Sequence, residues 1–141
     1  MTDELAVAYL KKGAQVMLVD KPAPSRLFSS IMPDNFDGAH KAARHLLDLG
    51  HRRIAFLAAK KDPVVESRHA GFLQALEEAG LTFHRKDYIE GGYTSEPAAA
   101  AMIRYLRARG KDLPTAVMAV NDEAAIGALD ALRAAGLSVP E

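Results

Sequence analysis

The apolar residues of this 141-residue chain recur with two spacings, one typical of helices and one of short buried strands. Five amphipathic runs each end at a glycine, as helices commonly do. Apolar runs rich in Val, Ile, Leu, Phe and Ala alternate with these helices and predict strands. This order predicts an α/β fold with a parallel sheet and helices on both of its faces. The glycines are Gly13, Gly50, Gly80, Gly110 and Gly136, and the predicted strands are residues 14–20, 29–32, 53–59, 87–92 and 115–120.

The most informative segment is residues 114–127, in which an apolar strand runs directly into two polar residues that open a helix. The unbroken apolar run predicts a strand that is buried on both faces. Ligands of open α/β sheets bind beyond the carboxyl ends of the strands. We expect Asp122 to cap the helix, because its carboxylate can accept backbone N–H groups there. Asn121 is then left either to close the turn or to contact a ligand.

Arg68 is a second candidate for ligand binding. In the helix predicted over residues 64–79 it lies on the same side as the apolar stripe. A cation near the positive end of a helix dipole needs a compensating acceptor or anion. Two interpretations remain open: Arg68 contacts a ligand, or its side chain turns outward to pair with Asp62 or Glu66.

Polar residues also crowd the start of the helix predicted after residue 34, where Asp34, Asn35 and Asp37 accompany Phe36. Carboxylates and amides beside an aromatic ring are typical of carbohydrate sites. The same residue types cap helices without binding anything, so simple capping remains the alternative. Tyr93, after the fourth predicted strand, is a further candidate for the cleft.

Catalytic motifs are not evident in the sequence. It contains no glycine-rich phosphate loop and no nucleophile elbow, and its five histidines lack the spacing of a metal pair. We therefore expect neither a metal nor a cofactor, and a small α/β enzyme is the least favoured functional class.

Composition excludes several other classes. The 18 basic residues equal the 18 acidic ones, so the chain lacks the positive field that holds nucleic acid through its phosphates. The absence of cysteine excludes disulfides and thiolate metal sites. No signal peptide begins the sequence, and no apolar stretch approaches the roughly 20 residues of a membrane span. We expect a cytoplasmic protein that has no contact with a membrane.

Four segments occur in order along the chain: DNFDGA (34–39), HLLDLGHRRIAF (45–56), RHAGFLQAL (68–76) and PTAVMAVNDEAAIG (114–127), followed by AGLSVPE (135–141). Together they resemble the effector-binding core of LacI/GalR-type transcriptional regulators. The resemblance implies a type I periplasmic-binding-protein-like fold of two lobes, here incomplete and truncated at both ends. It assigns residues 1–50 to the closing part of the first lobe and residues 51–141 to most of the second.

The resemblance also implies roles for particular residues. Arg68 matches the family arginine that binds hydroxyls or carboxylates of the effector, and Asn121 matches the polar residue at the strand end across the same cleft. Asp37 lies where the other lobe contributes acceptors, and Phe36 and Tyr93 complete the expected effector-binding set. Arg68 and Asn121 should therefore converge on one hollow.

Partners follow from the same resemblance. A small-molecule effector, a sugar or related polyol, would bind between the lobes and control operator binding by a helix-turn-helix headpiece that this chain lacks. The full-length repressor would be a homodimer. Because lobe strands are missing, we expect the isolated chain to bind effector weakly or not at all. The alternative is the solute-binding protein of a sugar transporter, which shares the fold but would carry a secretory segment before Met1.

Overall fold

The computed structural model describes residues 3–21, 23 and 25–140, so Glu141, the last residue of the matched segments, lies outside the described residues. The chain forms two compact units, Met1–Asp34 and Asn35–Glu141. The predicted alternation of helices and strands is confirmed, and the five glycines predicted to end helices all adopt positive φ. No helix in the described part is long and apolar enough to cross a membrane.

The first unit contains one helix and two strands. Helix α1 spans Asp3–Lys11, and strands β1 (Met17–Val19) and β2 (Ser29–Ile31) pair in parallel. Only one side of β1 contributes to the small core, because successive side chains of a strand point to opposite faces. The buried residues of this core are Ala6, Leu18 and Phe28.

The second unit contains a three-stranded parallel sheet in the order β4-β3-β5. The central strand β3 is buried along its whole length and lies at the heart of the core. The elements, in chain order, are α2 (Asn35–Asp48), β3 (Ile54–Ala58), α3 (Pro63–Glu78), β4 (Tyr88–Glu90), α4 (Ser95–Arg109), β5 (Ala116–Ala119) and α5 (Asp122–Ala134), with a 3-10 turn at Arg85–Asp87 before β4.

The prediction that the strand within residues 114–120 is buried on both faces is wrong. All four residues of β5 are half-buried, whereas β3 has the full burial that the apolar run suggested for β5. The physical reason is the strand order, because among the described residues β5 pairs only with β3 and so lies at an edge of the sheet.

Two pairs of helices approach each other closely at glycines. A Cβ atom added to Gly71 of α3 would lie 2.1 Å from the carbonyl oxygen of Phe36 in α2. A Cβ atom added to Gly127 of α5 would lie 2.1 Å from the carbonyl oxygen of Ser95 in α4. The missing side chains therefore let these backbones touch.

Helix α2 belongs to the second compact unit, because it packs on α3. The units consequently divide between Asp34 and Asn35, earlier in the chain than the lobe boundary expected at Gly50. The assignment of either unit to a particular lobe stays a prediction.

Candidate functional site

Five polar side chains lie at the carboxyl end of the second unit's sheet, where hydrogen bonds connect Arg68 with Asn35 and connect Tyr93 with Asp62 and Asn121. We call them the carboxyl-edge cluster: Asn35, Asp62, Arg68, Tyr93 and Asn121. Strands β3, β4 and β5 are parallel, so the residues that follow them emerge at one edge. This edge is where open α/β sheets hold ligands.

Arg68 connects α2 with the end of β5. Its Nε donates to Oδ1 of Asn35 at 2.8 Å, and its Nη1 donates to the backbone carbonyl of Val120 at 2.5 Å. Asn35 is only 8% exposed, so the guanidinium supplies a hydrogen bond to a buried amide oxygen. The third nitrogen, Nη2, has no hydrogen-bond partner among the residues that the structure describes.

The outward ion pair that was one interpretation of Arg68 is not formed in the described part of the chain. Glu66 instead pairs with Lys61 at 3.1 Å. Asp62 is close enough for the positive charge of Arg68 to lower its pKa, but the two side chains share no ion pair. Arg68 therefore points along the sheet edge toward β5, and its contact with a ligand stays a prediction.

Asn121 caps α5 and holds the loop that follows β4. Its Oδ1 accepts from the N–H of Ala124 at 2.9 Å, and its Nδ2 donates to the carbonyl of Tyr93 at 2.9 Å. The prediction that Asp122 is the cap is wrong, because Asp122 is the first helical residue and its side chain is exposed. The extended backbone of Asn121 (φ −155°, ψ 177°) lets its side chain reach the N–H three positions ahead.

Asp62 likewise caps a helix, α3, and also binds the residue Tyr93 in the loop that follows β4. Its Oδ1 accepts from the backbone N–H groups of Val64 at 2.8 Å and Val65 at 3.0 Å, and its Oδ2 accepts from the hydroxyl of Tyr93. Burial opposes ionisation, but the hydrogen bonds from Tyr93 and the backbone and the charge of Arg68 together hold the pKa of Asp62 below its ordinary value. Asp62 is thus a charged acceptor at neutral pH.

Asp62 and Asn35 are not among the effector-binding residues predicted from the sequence. Asp62 precedes a proline at the first helical position, which is a recognisable helix start. Its contact with Tyr93 spans 31 positions and leaves no local signal. Asn35 belongs to the polar cluster at the start of α2, where nothing in the residue types distinguishes it from its neighbours.

Phe36 and Asp37 lie in the first turn of α2, beside Asn35. The ring of Phe36 is 41% exposed and stacks on His40 with 6.4 Å between centroids. Asp37 forms an ion pair of 2.6 Å with Lys41, one turn later. The described hydrogen bonds thus join Asn121 and Tyr93 directly and bring Arg68 to the same edge. The effector contacts of all five predicted residues stay predictions.

The carboxyl-edge cluster combines a guanidinium, two amides, a phenol and a carboxylate. Such groups donate to and accept from hydroxyls in pairs, which is how proteins hold polyhydroxylated molecules. No group of three or more His, Cys, Asp or Glu residues in the described part of the chain is arranged to hold a metal ion. The side chains at this edge thus offer hydrogen-bond donors and acceptors.

Comparison with known proteins identifies the family. The model of the periplasmic binding protein-like domain matches residues 43–141. The HTH-type transcriptional repressor PurR of Haemophilus influenzae is 35% identical over 126 residues, which cover 89% of this chain and 37% of that protein. PurR of Mannheimia succiniciproducens is 36% identical over 112 residues, 79% of this chain and 33% of that protein. The chain thus spans about a third of the length of these curated relatives.

Solved structures agree with this result. A LacI family transcriptional regulator from Enterococcus faecium with bound ribose has a TM-score of 0.83 and 27% identity, covering 100% of this chain and 52% of that one. A sugar-binding LacI family regulator from Escherichia coli, complexed with phosphate, has a TM-score of 0.79 and 29% identity, covering 99% and 50% of the two chains. The chain therefore belongs to the periplasmic-binding-protein-like family and forms part of the effector-binding core of a LacI/GalR-type regulator.

Proposed function

We propose that this chain is the effector-sensing part of a DNA-binding repressor and that its carboxyl-edge cluster binds a sugar or related polyol. The observation that carries the proposal is the placement of Arg68, whose Nη1 binds the carbonyl of the residue next to Asn121. The side chain of Arg68 thus reaches the backbone at the end of β5, next to Asn121, although the two residues lie more than fifty positions apart in the sequence.

The hydrogen-bonding capacity of the cluster favours an uncharged, hydroxyl-rich ligand. The positive charge of Arg68 lies near the negative charge of Asp62, so the pair offers no excess of positive charge to an anion. Nη2 of Arg68 keeps its donor capacity, and the hydroxyl of Tyr93 adds an oxygen acceptor. Tyr93 and Phe36 would supply the apolar surface that sugar rings pack against. Asp37 would contribute a further acceptor.

Sensing would follow from differential affinity. A ligand that binds one arrangement of the lobes more tightly shifts the population toward it, and that shift alters DNA affinity by the same coupling free energy. Operator contacts would come from a helix-turn-helix headpiece in the longer, homodimeric protein, located in the cytoplasm. A formal net charge of zero agrees with a sensing rather than a DNA-binding role for this segment.

The alternative of a solute-binding transporter component is not favoured, because the relatives and structural neighbours are transcriptional regulators. An enzymatic role is also not favoured, since the relatives are repressors. Gene context separates the first two: a helix-turn-helix coding sequence in the same reading frame supports the regulator, and a signal peptide supports the transporter.

The binding site can be tested by titrating the ¹⁵N-labelled 141-residue chain with D-ribose to tens of millimolar, which also detects weak binding. We expect concentration-dependent amide shifts at Tyr93 and Asn121, and their loss in Arg68→Ala. Arg107→Ala is the control, because Arg107 is an exposed residue of α4. Equal shifts in Arg68→Ala and the unsubstituted chain would remove Arg68 from the site. Thermal unfolding of each variant shows whether the fold is retained.

A further inference from the structure

We propose that Asp62 is a positioning residue that fixes the side chain of Tyr93 and, through Tyr93, sets the affinity of the carboxyl-edge cluster for its ligand. This inference rests on the proposed function, because it assigns Tyr93 a place against the ligand. Neither the sequence motifs nor the family resemblance pointed to Asp62.

The geometry holds Tyr93 at both ends. Asn121 donates from Nδ2 to the backbone carbonyl of Tyr93, and Oδ2 of Asp62 accepts from its hydroxyl. The side chain of a tyrosine has two rotatable bonds between its backbone and its hydroxyl. Hydrogen bonds at both the carbonyl and the hydroxyl of Tyr93 therefore restrict the orientation of its ring. The starts of α3, α4 and α5 are thereby connected through one residue, Tyr93.

The two oxygens of Asp62 have separate tasks. Oδ1 caps α3 by accepting from the N–H groups of Val64 and Val65, while Oδ2 accepts from the hydroxyl of Tyr93. A hydroxyl that donates to a carboxylate forms a stronger and more directional bond than one that donates to a neutral acceptor. The carboxylate is kept charged near neutral pH, because its hydrogen bonds lower the pKa despite burial.

Because the two oxygens have different partners, a substitution can change the bond to Tyr93 and keep the cap of α3. Asparagine caps helices about as well as aspartate, so Asp62→Asn keeps the acceptor for α3 and replaces the acceptor for Tyr93 with an amide group. Tyr93→Phe removes the donor and keeps the ring. A purely structural role of Asp62 in capping α3 predicts the same effect of Asp62→Asn whether or not the hydroxyl of Tyr93 is present.

The test is a double-mutant cycle on ribose affinity, measured by titration of the labelled chain. We expect Asp62→Asn to weaken binding by about three- to tenfold when Tyr93 is present, and by less than about twofold in the Tyr93→Phe background. Glu66→Gln is the matched control, because it makes the same change of carboxylate to amide at an exposed position of α3. Equal losses in both backgrounds would overturn the proposal.

A second readout needs no ligand and separates this inference from the proposed function. In the ligand-free chain, Asp62→Asn should shift the ring ¹³C resonances of Tyr93 while those of Tyr105 stay in place. Glu66→Gln should leave both unchanged. If ribose does not bind, the proposed function fails for that probe, and the ring resonances alone test the positioning role of Asp62. Unshifted Tyr93 signals in Asp62→Asn would overturn that role, and shifted signals would support it.

Discussion

The carboxylate of Asp87 accepts two hydrogen bonds from the guanidinium of Arg53, one at each oxygen and each 3.1 Å long. Asp87 is 1% exposed, and the hydroxyl of Tyr105 donates to it at 2.8 Å. Arg53 precedes β3 and Asp87 precedes β4, so this pair ties the amino ends of the strands, away from the carboxyl-edge cluster. Burial and the bond to Asp87 raise the pKa of Tyr105 to about 12.

Asp87→Asn should destabilise the second unit by about 2–4 kcal/mol, because it leaves the donors of Arg53 and Tyr105 without a charged acceptor in a buried place. Urea unfolding measures the loss. Asp112→Asn is the control, since Asp112 also pairs with Arg53 but is half-exposed, and solvent weakens such pairs. Similar losses of unfolding free energy in the two variants would show that the buried pair stabilises the chain no more than the exposed pair.

The stability of the chain should fall between pH 7.5 and 5.5 because of His69. This ring packs among Phe56, Phe72 and Tyr88, and its Nε2 is buried without a hydrogen-bond partner in the described structure. Burial, and then the charge of Arg85, lower the pKa of His69 from its ordinary value of 6.5.

The direction of this change in stability follows from the difference in proton binding between the folded and unfolded chains. Below pH 6.5 the unfolded chain binds a proton at residue 69 and the folded chain does not, so stability falls with pH until the folded pKa is reached. His69→Phe should reduce the difference in unfolding free energy between the two pH values, measured by urea unfolding. His45→Gln, at an exposed position of α2, is the control. An unchanged difference in His69→Phe would assign the pH dependence to other groups.

The sequence predicts much of this fold because its local signals agree. Apolar runs and helix-ending glycines locate the strands and helices of the second unit. The convergence of Arg68 and Asn121 was implied only by the family resemblance, because Arg68 lies within α3 and does not directly follow a strand. The burial of β5 could not be predicted, since the same apolar residues suit a central and an edge strand. Strand order decides between them, and strand order depends on contacts distant in sequence.

The details of the site were less predictable for a related reason. Asn121 and Asp122 are adjacent and cap helices equally well, so only the backbone angles decide which one does so. The bond between Asp62 and Tyr93 joins residues 31 positions apart. Residue type and spacing report local structure, whereas these interactions depend on how separate elements pack.

The close approach of α2 and α3 predicts opposite effects for two glycine substitutions. Gly71→Ala should cost about 1–3 kcal/mol, because the new Cβ atom would meet the backbone oxygen of Phe36 and force the helices apart. Gly38→Ala, in α2, should instead stabilise by about 0.5–1 kcal/mol, since nothing lies within 4 Å of its added Cβ. Urea unfolding compares both with the unsubstituted chain.

The two variants share the same chemical change in facing helices, so each controls for the other. Gly71→Ala should also shift the resonances of Asn35 and Arg68, because moving α2 away from α3 stretches their 2.8 Å hydrogen bond. Equal stability of the two variants would show that the helices can separate at no cost.

The capping of α5 gives the last prediction. Asn121→Ala should lower the free energy of unfolding by about 1–2 kcal/mol, since it removes the acceptor for the N–H of Ala124 and the donor to the carbonyl of Tyr93. Asp122→Ala should have a smaller effect, because its exposed carboxylate contributes only through the helix dipole. Asn121→Asp separates the two bonds: it keeps the cap and loses the donor, so its stability should lie between those of the unsubstituted chain and Asn121→Ala. A larger loss in Asp122→Ala than in Asn121→Ala would restore Asp122 as the cap.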